Sequence, residues 1–486
     1  MRGTTTPPST RAHGHPGPDA AVFTLLLGVL VAAVVSSSWL RSGLQLLVVT
    51  AVIVIALIIP AVIQSRRGGD LAPLLVAPTA LSAFQNVYLL AVVDDVSPSA
   101  FPVVIIINFL IAVGLLVVFL TTRPRTLSRT PAVVRVVLMT LIVMTVWGWA
   151  SALVFGADLT SALASYRNVV TPMVFVLLGL LAARSTPVGS YVAALLVVAV
   201  AAIAFGFFEY TDDAFWIDHG IERLWSLKNI GTGWGGLPSN FFSSELIDGR
   251  QARRMVSSFA DPVHFGTFLF AAMAAAWWCR QWIIVVLCVV AAWFAVSKGF
   301  LLGALVFLAV WARVYANVVV QVLAVAAVAA GAVGFYAFTQ DNSTGSTDAH
   351  IDGFVAAFRE LPAHPLGRGL GNSGVRALLD IGATDSEVGE SGIGLVVSQL
   401  GLIGVAAWGW FFAAVIRAAW ATARSGDRLL TVGLALAFLT NAAFNEVALS
   451  PNSAAPYFVL IGLVIGRDRA ASALGRQNTT RENSWR

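Results

Sequence analysis

Residues 189–210 read GSYVAALLVVAVAAIAFGFFEY, an unbroken apolar run that meets its first ionisable carboxyl only at Glu209. As a helix it is long enough to cross a hydrocarbon core of roughly 30 Å. Runs of this kind recur along the chain: 20–40, 43–63, 71–93, 100–121, 133–155, 168–183, 189–210, 263–279, 282–297, 299–313, 317–338, 391–416, 429–447 and 454–466. Of 486 residues, 58% are hydrophobic and 11% charged, whereas a soluble domain carries about 25% charged residues. An outer-membrane barrel would need alternating segments of roughly 10 residues, and these runs are continuous. The expected fold is therefore all-α, a polytopic transmembrane helix bundle of about fourteen spans. Lys298 interrupts 282–313; reading that stretch as one span would invert everything downstream.

Outside the spans the chain divides simply. Residues 1–19, rich in Pro, Gly, Thr and His, are expected to be disordered and cytoplasmic, with no cleaved signal peptide. Residues 20–466 form the transmembrane domain and 467–486 a cytoplasmic tail. Apart from Lys228 and Lys298 every basic residue is arginine. One set of alternate loops holds Arg66, Arg67, Arg123, Arg125, Arg129, Arg184, Arg280, Arg313, Arg417, Arg424 and Arg428; the other holds little beyond Arg41, Arg167 and Lys298. The positive-inside rule then puts both termini in the cytoplasm of a multi-pass protein of the inner or plasma membrane. The basic excess is a topology signal, with no nucleic-acid partner implied. Cys279 and Cys288 offer neither a disulfide framework nor metal-ligand spacing.

Two outward loops of about 50 residues remain, roughly 211–262 and 339–390, and loops of that length usually bind or catalyse. The first carries Glu209, Asp212, Asp213 and Asp218, a Gly/Trp-rich stretch, and then Arg250, Arg253 and Arg254. In the second, Ile351, Phe354, Val355, Phe358 and Leu361 recur at helical spacing. They predict a short amphipathic helix on the membrane surface, stopped by Pro362, with His350 on its wet face. A glycine-dense turn follows at 365–372, then Arg376, Asp380, Glu387 and Glu390.

Four stretches occur in a telling order: RMVSSFADPVHFG (254–266), VSKG (296–299), HPLGRGLG (364–371), and ESGIG (390–394) leading to QLGLIG (399–404). Over roughly 250–466 the chain resembles the O-antigen polymerase and O-antigen ligase superfamily, membrane glycosyltransferases that use polyprenyl-pyrophosphate-linked glycans. Lys298 stands where the family's turn carries arginine. Glu390 stands where family ligases carry a histidine considered catalytic, so that histidine's role does not transfer. The resemblance implies a metal-independent, inverting enzyme without a cofactor. Its partners would be a lipid-linked glycan donor, a glycan acceptor, membrane lipid, and chain-length regulators or flippases.

Such a reaction needs cations aimed at the departing pyrophosphate, and arginine can donate to phosphate through two bonds at once. The acceptor hydroxyl needs a base within hydrogen-bond reach. Arg254 and Lys298 are the expected pyrophosphate ligands, with Arg253, Arg368 and Arg376 as further contacts. The simpler reading of Arg253 and Arg254 is a juxtamembrane anchor. Glu390 is the candidate base, Glu387 the lesser one, in competition with Asp380 and Asp261. His264 reads first as a satisfied polar contact. The glycines at 367, 369 and 371 either cradle phosphate or permit tight turns. Asn441, Asn445 and Glu446 line a pocket or join helices, and Trp225 and Trp234 stack on sugar or sit at the interface. The absence of the ligase-type histidine favours a polymerase of lipid-linked repeat units on the outer face of the membrane. A ligase acting on another acceptor, a polysaccharide or lipid transporter, and a structural or sensory protein are the alternatives.

Overall fold

The computed structural model describes residues 69–91, 93–94, 101–122, 132–212, 214–227, 234–247, 250–342, 346–374 and 390–484. The expected disordered start, the first two runs, Arg376, Asp380 and Glu387 lie outside the described residues.

Within them the chain is a helix bundle: α1 (Ala72–Ala91), α2 (Phe101–Thr122), α3 (Ala132–Val154), α4 (Leu159–Ala182) and α5 (Val188–Thr211). The first large loop follows, and then α8 (Pro262–Trp278), α9 (Trp282–Phe294), α10 (Lys298–Tyr315) and α11 (Val318–Asn342). Helix α12 (Ser346–Glu360) precedes α13 (Gly392–Trp420), α14 (Ser425–Phe444) and α15 (Pro451–Ser484). Seven of these, α1, α3, α4, α5, α10, α13 and α14, are long and apolar enough to cross a membrane. Leu153, Ile283 and Trp293 are 82%, 79% and 82% exposed, a surface suited to lipid and ruinous in water. This is a helical membrane protein.

Residues 282–313 form two helices. Helix α9 closes with Val296 at φ 47° and Ser297 N–H donating to Ala292 O at 3.2 Å, a left-handed helix stop. Ser297 then caps α10, its hydroxyl accepting from Phe300 N–H at 3.2 Å. One boundary needs correcting. Helix α4 begins at Leu159 rather than 168, because Asp158 caps it through Thr160 and Ser161 N–H. Arg167 therefore lies within the helix rather than in a loop; hydropathy stopped at the charge, but the cap set the start.

Close approaches fix how the helices stack. A Cβ on Gly179 of α4 would overlap Val459 O, and one on Gly462 of α15 would overlap Val176 O; these two helices touch backbone to backbone, as small residues allow. A ring cluster of Phe270, Phe412, Phe438, Tyr457 and Phe458 fills the space between α8, α13, α14 and α15. One end of the bundle gathers Arg280, Arg313, Arg424, Arg428 and Arg467, where Trp278 Nε1 and Arg467 both bond the buried Asp427. The opposite end carries the described parts of the two large loops.

The first of those loops is a folded cap with its own core. It contains two short helices, α6 (Phe215–Asp218) and α7 (Ile221–Ser226), and a two-stranded antiparallel ribbon, β1 (Phe242–Ile247) with β2 (Arg250–Arg253). The ribbon is the exception to an otherwise all-helical reading. Trp216, Trp225, Leu224 and Phe241 pack inside this cap. Trp225 is 3% exposed and is part of the packing, not a platform for sugar.

Candidate functional site

Glu209, in the last turn of α5, is the post on which the cap is hung. It is fully buried. Its Oε1 accepts from Val256 N–H at 2.8 Å and Ser257 N–H at 3.0 Å, and its Oε2 from Trp216 Nε1 at 2.8 Å and Arg253 Nη2 at 2.9 Å. A buried carboxylate tolerates such a place when its lone pairs are filled. Arg253 is held by that bond, by the Arg254 carbonyl and by the Phe241 ring, 5.0 Å from its guanidinium.

Arg254 is turned the other way. Its Nε donates to Ala295 O at 2.9 Å and its Nη2 to Val296 O at 3.3 Å, and Met255 N–H bonds Phe294 O at 3.0 Å. The orphan carbonyls at the end of α9 are thus capped by the chain leaving the ribbon. This docks Arg254 on the turn that begins α10, two residues from Lys298. Ser257 and Ala260 take positive φ of 54° and 49° as the backbone enters α8.

Asp261 caps α8 through Val263 and His264 N–H at 2.8 and 2.9 Å. Its carboxylate also meets His264 Nδ1 at 3.3 Å and accepts from Asn240 Nδ2 at 3.1 Å. Burial alone would push this carboxyl up; the pull of His264, its backbone N–H and Arg254 outweighs it and holds Asp261 well below the usual carboxylate range. Asp261 is therefore an anion at every physiological pH and a poor proton acceptor.

The starts of α8 and α10 are pressed together: a Cβ on Gly266 would overlap the Ser297 side chain. On its other side α10 meets the end of α14, where a Cβ on Gly299 would come within 2.9 Å of Asn441 Oδ1. Asn441 Nδ2 donates to Thr267 Oγ1 at 2.9 Å, so this residue joins helices. One turn further along, Asn445 and Glu446 meet the start of α13. Glu446 N–H donates to Glu390 O at 2.5 Å, and a Cβ on Gly392 would come within 3.1 Å of Ala442 O and Asn445 O. The last turn of α14 thus has the Lys298 turn on one side and Glu390 on the other.

His350 was expected on the wet face of its helix, and the structure corrects this. Its side chain is only 17% exposed and its Nδ1 stands 3.2 Å from Glu390 Oε2. The apolar positions of α12 identify which stripe is buried; they do not show that a polar residue beside the stripe is drawn inward by a carboxylate about 40 residues later.

Among the glycine-dense loop's N–H groups, those at 367 to 370 and 372 bond protein acceptors. Helix α13 breaks at Gly401, with φ 60° and ψ −150°. Into that break Arg368 N–H donates to Ser398 O at 2.8 Å, Gly369 N–H to Gln399 O at 3.0 Å, and Leu402 N–H to Pro365 O at 2.9 Å. Trp147 Nε1 takes Leu400 O at 3.0 Å, and Leu370 N–H bonds Ser151 Oγ at 3.2 Å. Cβ atoms on Gly367 and Gly401 would overlap Gln399 O and Pro365 O. The glycines serve close backbone approach. Arg368 pairs with Glu360 at 2.7 Å, both beside a small recess that Ala357, His364 and Ser398 also line.

Compared with protein-family models and with curated proteins, the chain finds no match.

Proposed function

We propose that the chain is a membrane glycosyltransferase that polymerises pyrophosphate-linked oligosaccharide units carried on a polyprenyl lipid. In this reading about fourteen spans place the two large loops on the outer face of a cytoplasmic membrane, with both termini inside. One observation carries it: Arg254, Lys298 and Glu390, far apart in sequence, lie around the ends of α9 and α14. Cations and a candidate base are thus at one end of the bundle, as group transfer from a pyrophosphate requires.

In the proposed step the acceptor hydroxyl gives its proton to Glu390 and its oxygen attacks the anomeric carbon. The bond from that carbon to the pyrophosphate oxygen breaks, and the leaving group departs with the electron pair and inversion at carbon. Arg254 and Lys298 face the charge that develops on the departing oxygens, where partial exclusion of water strengthens the attraction. Arg253 serves mainly to hold the cap on Glu209, and Arg368, bound to Glu360, lies beside the recess as a second contact. Arg376 and Glu387 stay in the proposal on sequence position alone.

The break in α13 favours a second reading, since discontinuous helices mark transporters. There, however, the freed groups are available to a substrate, whereas Ser398, Gln399 and Leu400 carbonyls accept from the chain itself. Transfer onto a different acceptor, a ligase reaction, uses the same machinery.

The test is direct. The purified chain in nanodiscs, given a polyprenyl-pyrophosphate oligosaccharide, should form a product ladder on a gel. Arg254→Ala, Lys298→Ala and Glu390→Gln should each lose it while remaining folded. A single product formed only with a foreign acceptor means ligase; no transfer at all, with folded protein, removes the transferase reading.

A further inference from the structure

Glu390 is the more exposed partner of its contact with His350: 49% of its side chain is accessible against 17% for the imidazole. The carboxylate therefore faces outward and the ring lies behind it. Helix α12 carries the ring there by crossing the start of α13, close enough that a Cβ on Gly394 would come within 3.3 Å of Gly353 O. On its other flank Glu390 is tied through its carbonyl to Glu446 N–H, so its backbone is held while the carboxylate has the imidazole as its neighbour.

We propose that His350 is a positioning residue for Glu390, a proposal that rests on the glycan-transfer reading above. Nδ1 and Oε2 stand 3.2 Å apart without the alignment of a hydrogen bond, and catalytic hydrogen bonds often align only once substrate is bound. With its proton on Nδ1 the imidazole then donates to Oε2, fixes the rotation of the carboxylate, and leaves Oε1 directed at the acceptor hydroxyl. A ring nitrogen's protonation follows the bond it makes, so Glu390 in turn selects the Nδ1–H tautomer, ordinarily the minor one. During transfer the hydroxyl proton passes to Glu390; His350 neither gains nor loses a proton. A carboxylate left to rotate would be misaligned for most encounters, and alignment of reacting groups is a large part of rate. The competing role for the same contact is a staple that merely keeps α12 on α13.

The experiment uses the full chain in nanodiscs with a polyprenyl-pyrophosphate oligosaccharide as donor. His350→Ala should lower kcat about 10- to 100-fold, the range for partners that orient a functional group, with KM for the donor unchanged. His350→Asn places an amide N–H near the position of Nδ1 and should restore most of kcat. Nitrogen-15 histidine spectra should show the His350 signal, identified by its loss in His350→Asn, as Nδ1–H in the wild type and Nε2–H in Glu390→Gln. An unchanged kcat in His350→Ala overturns the proposal, as does a loss of folding that Asn repairs without restoring kcat. If the wild type transfers no glycan, the glycan-transfer reading has failed. The tautomer then decides alone: dependence on Glu390 upholds the positioning contact, and independence ends it.

Discussion

Replacing Glu209 with alanine would leave the Arg253 guanidinium, the Trp216 indole and two backbone N–H groups facing a hole. Removing one partner of a buried ion pair costs about 3–5 kcal/mol, so Glu209→Ala should lower the thermal midpoint in detergent sharply. Glu209→Gln, which keeps the shape, should lie between it and the wild type. A midpoint that does not move in Glu209→Ala would mean that the cap is not hung on this residue. Asp261 gives a prediction in pH. Its folded pKa is depressed, so its charge contributes stability that is full above the ordinary carboxylate value of about 3.9 and lost as pH falls below it. The difference in midpoint between the wild type and Asp261→Asn should shrink as pH falls below about 4. A difference that disappears already near neutral pH would place the depressed carboxyl elsewhere. Sequence named Glu209 as an odd charge near a span end, yet its four partners come from two later stretches of chain, at 216 and at 253–257. No local pattern in either stretch records that. His350 escaped for the same reason.

The helices themselves were legible, because hydrocarbon leaves a chain little alternative to satisfying its own backbone. Apolar length marks most of them to within a few residues, and the errors sit where a cap overrides hydropathy, as Asp158 does at the start of α4. The ribbon of β1 and β2 left no comparable mark: its strands are short, and Arg250 to Arg253 carry no alternation of apolar residues. The break in α13 also passed unread, since GLIG within a span resembles ordinary small-residue packing. It can be tested by contrast along one helix. Gly401→Ala and Gly367→Ala both force a Cβ into backbone at positive φ and should destabilise by at least about 1–3 kcal/mol. Gly409→Ala, where nothing lies within 4 Å, should be neutral or gain up to about 1 kcal/mol from helix propensity. Equal effects at 401 and 409 would mean that the loop does not occupy the break. At the α4–α15 contact, Gly462→Val should weaken the bundle where its backbones touch, seen as a lower midpoint in detergent.

At the scale of the molecule, the two ends differ in kind. One holds arginines spaced around Trp278 and Trp420; the other holds the cap, the Lys298 turn and Glu390. With Cys279 and Cys288 replaced by serine, single cysteines at Ala157 and at Arg424 should react oppositely with a membrane-impermeant maleimide. The proposed orientation predicts labelling of 157 from outside intact cells and of 424 only after permeabilisation. The reverse pattern would invert the topology and put the candidate site in the cytoplasm. Two cysteines labelling from one side would mean that the helices do not alternate as the arginine count implies.

The plugged break in α13 has a consequence for how this sequence can drift. The loop at 365–369 and the segment at 398–402 complete each other's hydrogen bonds. A change that mended the helix would evict the loop; one that stiffened the loop would bare the Ser398 and Gln399 carbonyls. Neither stretch is free to wander without the other, so the two, some thirty residues apart, should pass down a lineage as a single heritable unit.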